Sequence, residues 1–169
     1  MYFRKRKAET SLREVTSFIH YLAGLHGIEE DAINAAALDC AGILAAQYFL
    51  LSNVKGAGHI SAELRDNYVL GYVAGSVADT CESNNFVTGG IAHDLCWIMV
   101  THRVFAETLR EAAAIVDQCR WNLAETDLQY HFGYEDALRD LVEARASDAP
   151  YEGKLAVHLR RRCKITGSH

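Results

Sequence analysis

Apolar residues recur along most of the chain at intervals of three and four positions, which is the period of an α-helix. The alternation typical of strands is nearly absent, and glycines separate one apolar segment from the next. The pattern predicts helices over residues 11–23, 29–53, 61–82, 134–147 and 154–163, with a further helical region that begins at Ile91. We therefore predict an all-α fold, a compact bundle of five or six helices.

The region after Ile91 contains neither glycine nor proline as far as residue 132. A single helix over that stretch would be about 63 Å long, at a rise of 1.5 Å per residue. We expect one long central helix here, and any break in it is expected near residues 119–127. A projecting helix needs a partner, and Gly71 and Gly75 add a GxxxG spacing, so a homodimer is predicted; the same spacing also favours close packing inside the fold.

Local signals indicate where helices begin and which side chains form the core. Ser11 and Glu14 have the spacing of a capping box, and Ser61 is the expected N-cap of the third helix. On the helix after Ile91, the apolar period predicts a core stripe in which His102 is central and from which His93 is distant. The predicted core residues are Leu44, Phe49, Leu64, Val73, Leu95, Ile98, Phe105 and Leu109.

The composition fits one domain over residues 1–169, since half of the residues are hydrophobic and a chain of this size buries a sizeable core. Its five cysteines form no C-x-x-C pair and are an odd number, so we expect a reducing cytoplasm. No signal peptide is expected. Residues 32–51 are long enough to span a bilayer, but Asn34, Asp39 and Gln47 interrupt them, which favours a buried helix of a soluble bundle.

Charge is strongly segregated along the chain. All 22 acidic residues lie between Glu9 and Glu152, whereas residues 1–8 and 154–169 contain nine of the 17 basic residues. We expect two basic tails, residues 1–8 and 159–169, that bind a protein partner. Solvated tails, tails paired with the acidic body, and binding to nucleic acid or an anionic membrane remain alternatives. The partner-binding candidates are Arg4, Lys5, Arg6, Lys7, Arg160, Arg161, Arg162 and Lys164.

His93 and Asp94 follow a short hydrophobic run, and His59 lies upstream of them. This arrangement resembles the signature of the HD phosphohydrolase superfamily, although the residues after the doublet depart from the family's pattern. The resemblance implies an all-helical fold in which an early histidine, the His-Asp pair and a later aspartate hold a divalent metal that activates water. The later aspartate is open among Asp117, Asp127 and Asp136.

Two function classes follow from the sequence. H-E-x-x-H, E-x-x-H and P-loop patterns are absent from it, so we favour a non-enzymatic interaction or regulatory protein without a cofactor, which binds through its helical surface and basic tails. The alternative is a metal-dependent phosphohydrolase in which His93 and Asp94 are catalytic. Its metal ligands would be His59, His93, Asp94 and Asp127.

Overall fold

A computed structural model describes residues 17–49, 59–105, 107–146 and 152–166, and these residues confirm the all-α prediction. They form seven helices and no strand, one helix more than expected. Residues 17–26 are helical and are called α1. The others are α2 (Glu30–Phe49), α3 (Asn67–Ser83), α4 (Ile91–Phe105), α5 (Leu109–Gln118), α6 (Leu128–Ala146) and α7 (Lys154–Thr166).

The closest helix pair in the bundle is α3 and α6, and glycines allow their backbones to approach. A Cβ atom on Gly71 would collide with the carbonyl oxygen of Tyr130, and one on Gly133 would collide with the carbonyl oxygen of Tyr68. Gly75 faces the backbone of Tyr134 in the same way. The predicted small-residue groove of α3 is therefore occupied by α6 of the same chain.

The prediction of one long helix after Ile91 is wrong, because α4 ends at Phe105. Thr108 then begins α5 with a capping box: its hydroxyl accepts from the Glu111 backbone N–H, and the Glu111 carboxylate accepts from the Thr108 N–H. α5 continues through a π-helical turn, Cys119–Leu123, to a short helix, Ala124–Thr126, so the helical path also breaks before α6. The chain folds back at the first break, where α5 packs on α4, instead of projecting.

The start of α3 also differs from the prediction. A 3₁₀ turn, Ala62–Leu64, follows Ser61, whose side chain makes no capping bond. Asp66 is the N-cap instead, and its carboxylate accepts a hydrogen bond of 3.0 Å from the Val69 backbone N–H.

The predicted core is partly confirmed. Leu44, Val73, Leu95 and Phe105 are buried, whereas Leu64, Ile98 and Leu109 are half-buried; the side chain of Phe49 lies outside the described part. The predicted stripe of α4 is misplaced, because His102 is only half-buried and the fully buried positions are Cys96, Val100 and Val104 on the opposite side. α4 packs against α2, α3 and α5, so burial covers most of its circumference and a single stripe does not describe it.

Candidate functional site

The predicted catalytic pair lies at the start of α4. His93 is 6% exposed, and its Nδ1 lies 3.4 Å from the Asp94 Oδ1. The His93 ring meets the edge of Trp97, with ring centroids 5.7 Å apart. Asp94 also pairs with Arg120, which the π-helical turn after α5 brings back to α4. Asp94 is therefore engaged in an ion pair between α4 and that turn, with His93 beside it.

The other two predicted metal ligands have different surroundings. His59 is exposed. The next residue, Ile60, donates its backbone N–H to the Val104 carbonyl of α4. Asp127 caps α6: its Oδ1 accepts from the Tyr130 N–H at 2.9 Å, and its Oδ2 accepts from Asn67 Nδ2 at 2.6 Å. These hydrogen bonds, chiefly the one from Tyr130, lower the pKa of Asp127.

Among the residues that the structure describes, no three His, Cys, Asp or Glu side chains are grouped so that they could hold a metal ion. The four residues named by the resemblance are therefore not gathered at one point. The phosphohydrolase alternative stays a prediction.

Sequence reasoning missed a polar cluster that fastens α7 onto α3 and α6, which we call the α7 clasp. His158 Nε2 lies 2.8 Å from Asp66 Oδ2, and the His158 ring stacks on Tyr68 with centroids 4.2 Å apart. Lys154 Nζ donates to Asp136 Oδ1 at 2.9 Å, and the Tyr68 hydroxyl donates to the other oxygen of that carboxylate at 3.0 Å. The clasp joins residues that are far apart in sequence. The spacing of neighbouring residues therefore did not predict it.

The inner end of the α7 clasp is the buried carboxylate of Asp140. Asp140 is 1% exposed and accepts hydrogen bonds from the Tyr72 hydroxyl at 2.7 Å and from the Lys154 backbone N–H at 2.5 Å. The Tyr72 hydroxyl oxygen also accepts a hydrogen bond of 2.8 Å from Gln47 Nε2 on α2. Burial and the hydrogen bond to Asp140 raise the pKa of Tyr72, so it remains a neutral donor. A satisfied polar network of this kind fixes one arrangement of the helices.

The outer end of the clasp opens to a cleft. The cleft has a volume of about 300 Å³ and is lined by Asp66, Asn67, Tyr68 and Gln129. Burial alone would raise the pKa of Asp66, but hydrogen bonds from His158 and the Val69 N–H, with the charge of Arg162, lower it overall. Asp66, Asn67 and Tyr68 each hydrogen-bond a group elsewhere in the chain, respectively His158, Asp127 and Asp136, which favours a structural role for them.

The structure places the predicted basic tail at the C-terminal end in α7. Leu155 and Leu159 are buried, so the helix is docked on the body through its apolar side. Arg160 pairs with Glu152, the Arg162 Nε lies 3.5 Å from Asp66 Oδ2, and Arg161 is exposed. The Lys164 side chain and Arg4, Lys5, Arg6 and Lys7 lie outside the described part of the structure.

One side of α2 is exposed although most of its residues are apolar. The inner side of this helix enters the core through Ile33, Ala36, Ala37, Cys40 and Leu44. The opposite side is exposed and is also apolar, whereas the sequence had predicted a buried helix. We call it the α2 outer face, and it consists of Ala35, Leu38, Asp39, Gly42, Ile43 and Ala46.

Charge is sparse on the α2 outer face. Asp39 lies within it, and Asp31 lies at its N-terminal end. Leu38 and Ile43 remain 50% and 43% exposed, although both are large apolar side chains. A helix that is apolar on all sides is normally covered on all sides.

Among the residues that the structure describes, none packs against Gly42. A Cβ atom added to it would meet no atom within 4 Å, in contrast to Gly71, Gly75 and Gly133 between α3 and α6. Glycine within a helix is destabilising by about 0.5–1 kcal/mol relative to alanine, so a glycine without a neighbour weakens α2 for no internal gain.

Other large apolar side chains are exposed elsewhere. Phe18, Tyr21 and Leu25 lie on α1, and Trp121, Leu128 and Phe132 lie near the junction of α5 and α6. Gly24, on the same helix as Tyr21 and Leu25, also has no described atom within 4 Å of an added Cβ.

Comparisons of the chain with protein-family models, with curated proteins and with solved structures found no match. Among the described residues, no helix combines the length and the apolar composition that crossing a bilayer requires.

Proposed function

We propose that this chain is a non-enzymatic helical interaction protein that binds another polypeptide through the α2 outer face. The observation that carries the proposal is the apolar character of α2 on both sides, one of which is exposed. Exposed apolar patches of this kind, when they are contiguous and rimmed by polar residues, typically mark protein-binding surfaces.

The energetics favour a helix or another flat apolar element as the partner. Covering the exposed halves of Leu38 and Ile43 contributes about 1 kcal/mol each, since fully burying such a side chain contributes roughly 1.5–3 kcal/mol. Gly42 lets a partner backbone approach without a steric barrier. The affinity therefore comes from close packing and not from ion pairs.

The basic residues have a secondary place in the proposal. Lys154, His158, Arg160 and Arg162 already face acidic groups of the same chain, which supports a role in holding α7. Arg161 and the N-terminal Arg4, Lys5, Arg6 and Lys7 are proposed as accessory contacts to an acidic partner region. The buried thiols of Cys40, Cys81, Cys96 and Cys119 support a reducing compartment, for which we propose the cytoplasm.

The proposal is tested by quantitative capture with immobilised protein. Leu38→Glu places a charge on the α2 outer face, and Val142→Glu places the same charge on α6 at a site that is 61% exposed. We expect Leu38→Glu to abolish capture of the bound polypeptide and Val142→Glu to retain it. Equal capture by both variants, with both folded by circular dichroism, would show that another surface binds the partner.

A further inference from the structure

We propose that Cys81 and Cys96 form a reversible disulfide on reaction with hydrogen peroxide, which makes the contact between α3 and α4 a site of redox modification. Both residues are free thiols that belong to the hydrophobic core. Neither the α7 clasp nor the α2 outer face includes them, so this inference is independent of the proposed function.

The two cysteines lie on consecutive helices, near the segment that connects them. Cys81 is in the last turn of α3, which ends at Ser83, and Cys96 is in the second turn of α4, which begins at Ile91. At a rise of 1.5 Å per residue, Cys81 lies about 3 Å and Cys96 about 7.5 Å from those helix ends. Since α3 packs on α4, and the two side chains are 1% and 0% exposed, both thiols are enclosed in the core.

The two side chains also contact each other, because the Cys81 and Cys96 thiols share a hydrogen bond. A disulfide needs an S–S distance of about 2.05 Å and Cβ atoms roughly 3.5–4.5 Å apart. Two thiols that already contact each other across a helix pair reach that geometry through a small further approach of α3 and α4.

The two thiols differ in their chemistry. The hydrogen bond from Cys96 lowers the pKa of the Cys81 thiol, whereas that bond and burial raise the pKa of Cys96. Because the thiolate is the nucleophile, Cys81 reacts first and Cys96 resolves the product. A third thiol, Cys40 on α2, hydrogen-bonds with Thr80, and burial raises its pKa to about 12, so it stays protonated.

The end of α3 gives hydrogen peroxide a route to Cys81. The Cys81 carbonyl accepts hydrogen bonds from the backbone N–H groups of Asn84 at 3.2 Å and Phe86 at 2.8 Å, and residues 82–85 are exposed. Helix ends open locally at a lower free energy than the core of a protein, and peroxide is close to water in size. We therefore expect slow oxidation that is limited by opening of this turn.

The reaction balances with peroxide as the only oxidant. The Cys81 thiolate attacks one peroxide oxygen and the O–O bond breaks; the departing hydroxide takes the proton that Cys81 released, which gives a sulfenic acid and one water. The Cys96 sulfur then attacks the Cys81 sulfur and the S–O bond breaks; the departing hydroxide takes the Cys96 proton and becomes the second water. The two thiols lose two electrons and the peroxide gains them. Dithiothreitol reverses the change by thiol–disulfide exchange.

The test is treatment of the folded full chain with hydrogen peroxide, then alkylation of the remaining thiols in denaturant and peptide mapping by mass spectrometry. Trypsin is unsuitable, because no lysine or arginine lies between Arg65 and Arg103 and both cysteines stay in one peptide. A protease that cleaves after glutamate separates Cys81 from Cys96 at Glu82.

We expect two peptides joined through Cys81 and Cys96, with a mass lower than their sum by two hydrogen atoms, and both separate peptides after dithiothreitol. Cys96→Ala should give no linked pair and should instead accumulate a sulfenic acid at Cys81 that dimedone traps. Cys119→Ala removes a different buried thiol and is the matched control, so the linked pair should form in it as in the wild type.

Cys81 and Cys96 that both remain thiols, after an exposure that fully oxidises free cysteine in the same solution, overturn this inference. A disulfide that joins Cys40 to either residue overturns it as well, and so does oxidation of Cys81 to a sulfinic acid without a linked peptide. The map of the wild type decides between these outcomes even where Cys96→Ala does not fold.

Discussion

At the scale of single residues, some helical glycines of this chain lie against another backbone and others meet no described atom. Gly71 lies against the backbone of Tyr130, whereas Gly42 faces open space. The sequence predicted close packing at Gly71 and Gly75 from their spacing, but it did not distinguish them from Gly42. That distinction depends on which helix faces each residue, and a helical period alone does not specify a neighbour.

Gly71→Ala and Gly42→Ala should therefore have opposite effects on stability. The added methyl group of Gly71→Ala forces α3 and α6 apart, so we expect a loss of about 2 kcal/mol or more in the free energy of unfolding. Gly42→Ala should raise that free energy by about 0.5–1 kcal/mol, through its higher helix propensity. Urea denaturation at a low protein concentration measures both, and equal midpoints would contradict this packing of α3 on α6.

Tyr72 is the second residue with an unusual environment, because its buried hydroxyl connects Gln47 on α2 with Asp140 on α6. Tyr72→Phe keeps the ring and removes one donor from a carboxylate that is almost fully buried. We expect the free energy of unfolding to fall by about 1–3 kcal/mol. Tyr21→Phe, at a site that is 66% exposed, is the matched control and should change it by less than about 0.5 kcal/mol. A similarly small change for both substitutions would mean that the hydrogen bonds of Tyr72 contribute little to the free energy of unfolding.

At the scale of elements, the α7 clasp should make the stability of the protein depend on pH through Asp66. Its pKa in the folded state lies below the reference value of 3.8, so the folded state favours the carboxylate. This stabilisation is present in full above that value and is lost as the pH falls through the folded-state pKa. The groups that face it on α7 are the His158 ring, whose Nε2 lies 2.8 Å from Asp66 Oδ2, and the Arg162 guanidinium.

Asp66→Asn tests this dependence, since asparagine is as good an N-cap as aspartate but has no charge. The variant should be less stable than the wild type at pH 7, and the difference should shrink as the pH falls below 3.8. Asp117→Asn, at an exposed position on α5, is the control and should differ little from the wild type at any pH. Denaturant titrations at pH 7, 5, 4 and 3 give the comparison; a difference that does not vary with pH contradicts an ionic role for Asp66.

The elements also indicate how much of the fold could be predicted from the sequence. Most helices were located by their apolar period, and α7 was predicted over residues 154–163 and is observed over Lys154–Thr166. The break after Phe105 was not predicted, although Thr108 and Glu111 have the same spacing as the capping box that was recognised at Ser11 and Glu14. The signal was present, but the apolar run on both sides of it resembled one helix.

The candidate sites were harder to predict than the helices. The His93–Asp94 doublet suggested a metal site, yet Asp94 pairs with Arg120 and Asp127 caps α6. The α7 clasp joins His158 to Asp66, which are 92 positions apart. Such contacts depend on how helices are arranged in space, and one sequence does not contain that information in its spacing.

At the scale of the whole molecule, the bundle has a buried hydrophobic core and an exposed, mostly apolar surface on α2. Lys154, His158, Arg160 and Arg162 of α7 face acidic groups of the same chain, whereas the α2 outer face leaves Leu38 and Ile43 exposed. We infer that another polypeptide binds the α2 outer face. The segregation of charge along the sequence then serves mainly to hold the bundle together.

Site-specific photo-crosslinking from position 38 is the most direct test of this central claim. A photoreactive amino acid replaces Leu38 in one sample and Val142 in the other, and each full-length protein is irradiated under native conditions at the same concentration. We predict a covalent adduct with a second polypeptide from position 38 and none from position 142, with the adduct mass identifying the partner. Irradiation that yields no adduct at position 38, or the same adducts at both positions, would contradict the assignment of the α2 outer face as the binding surface.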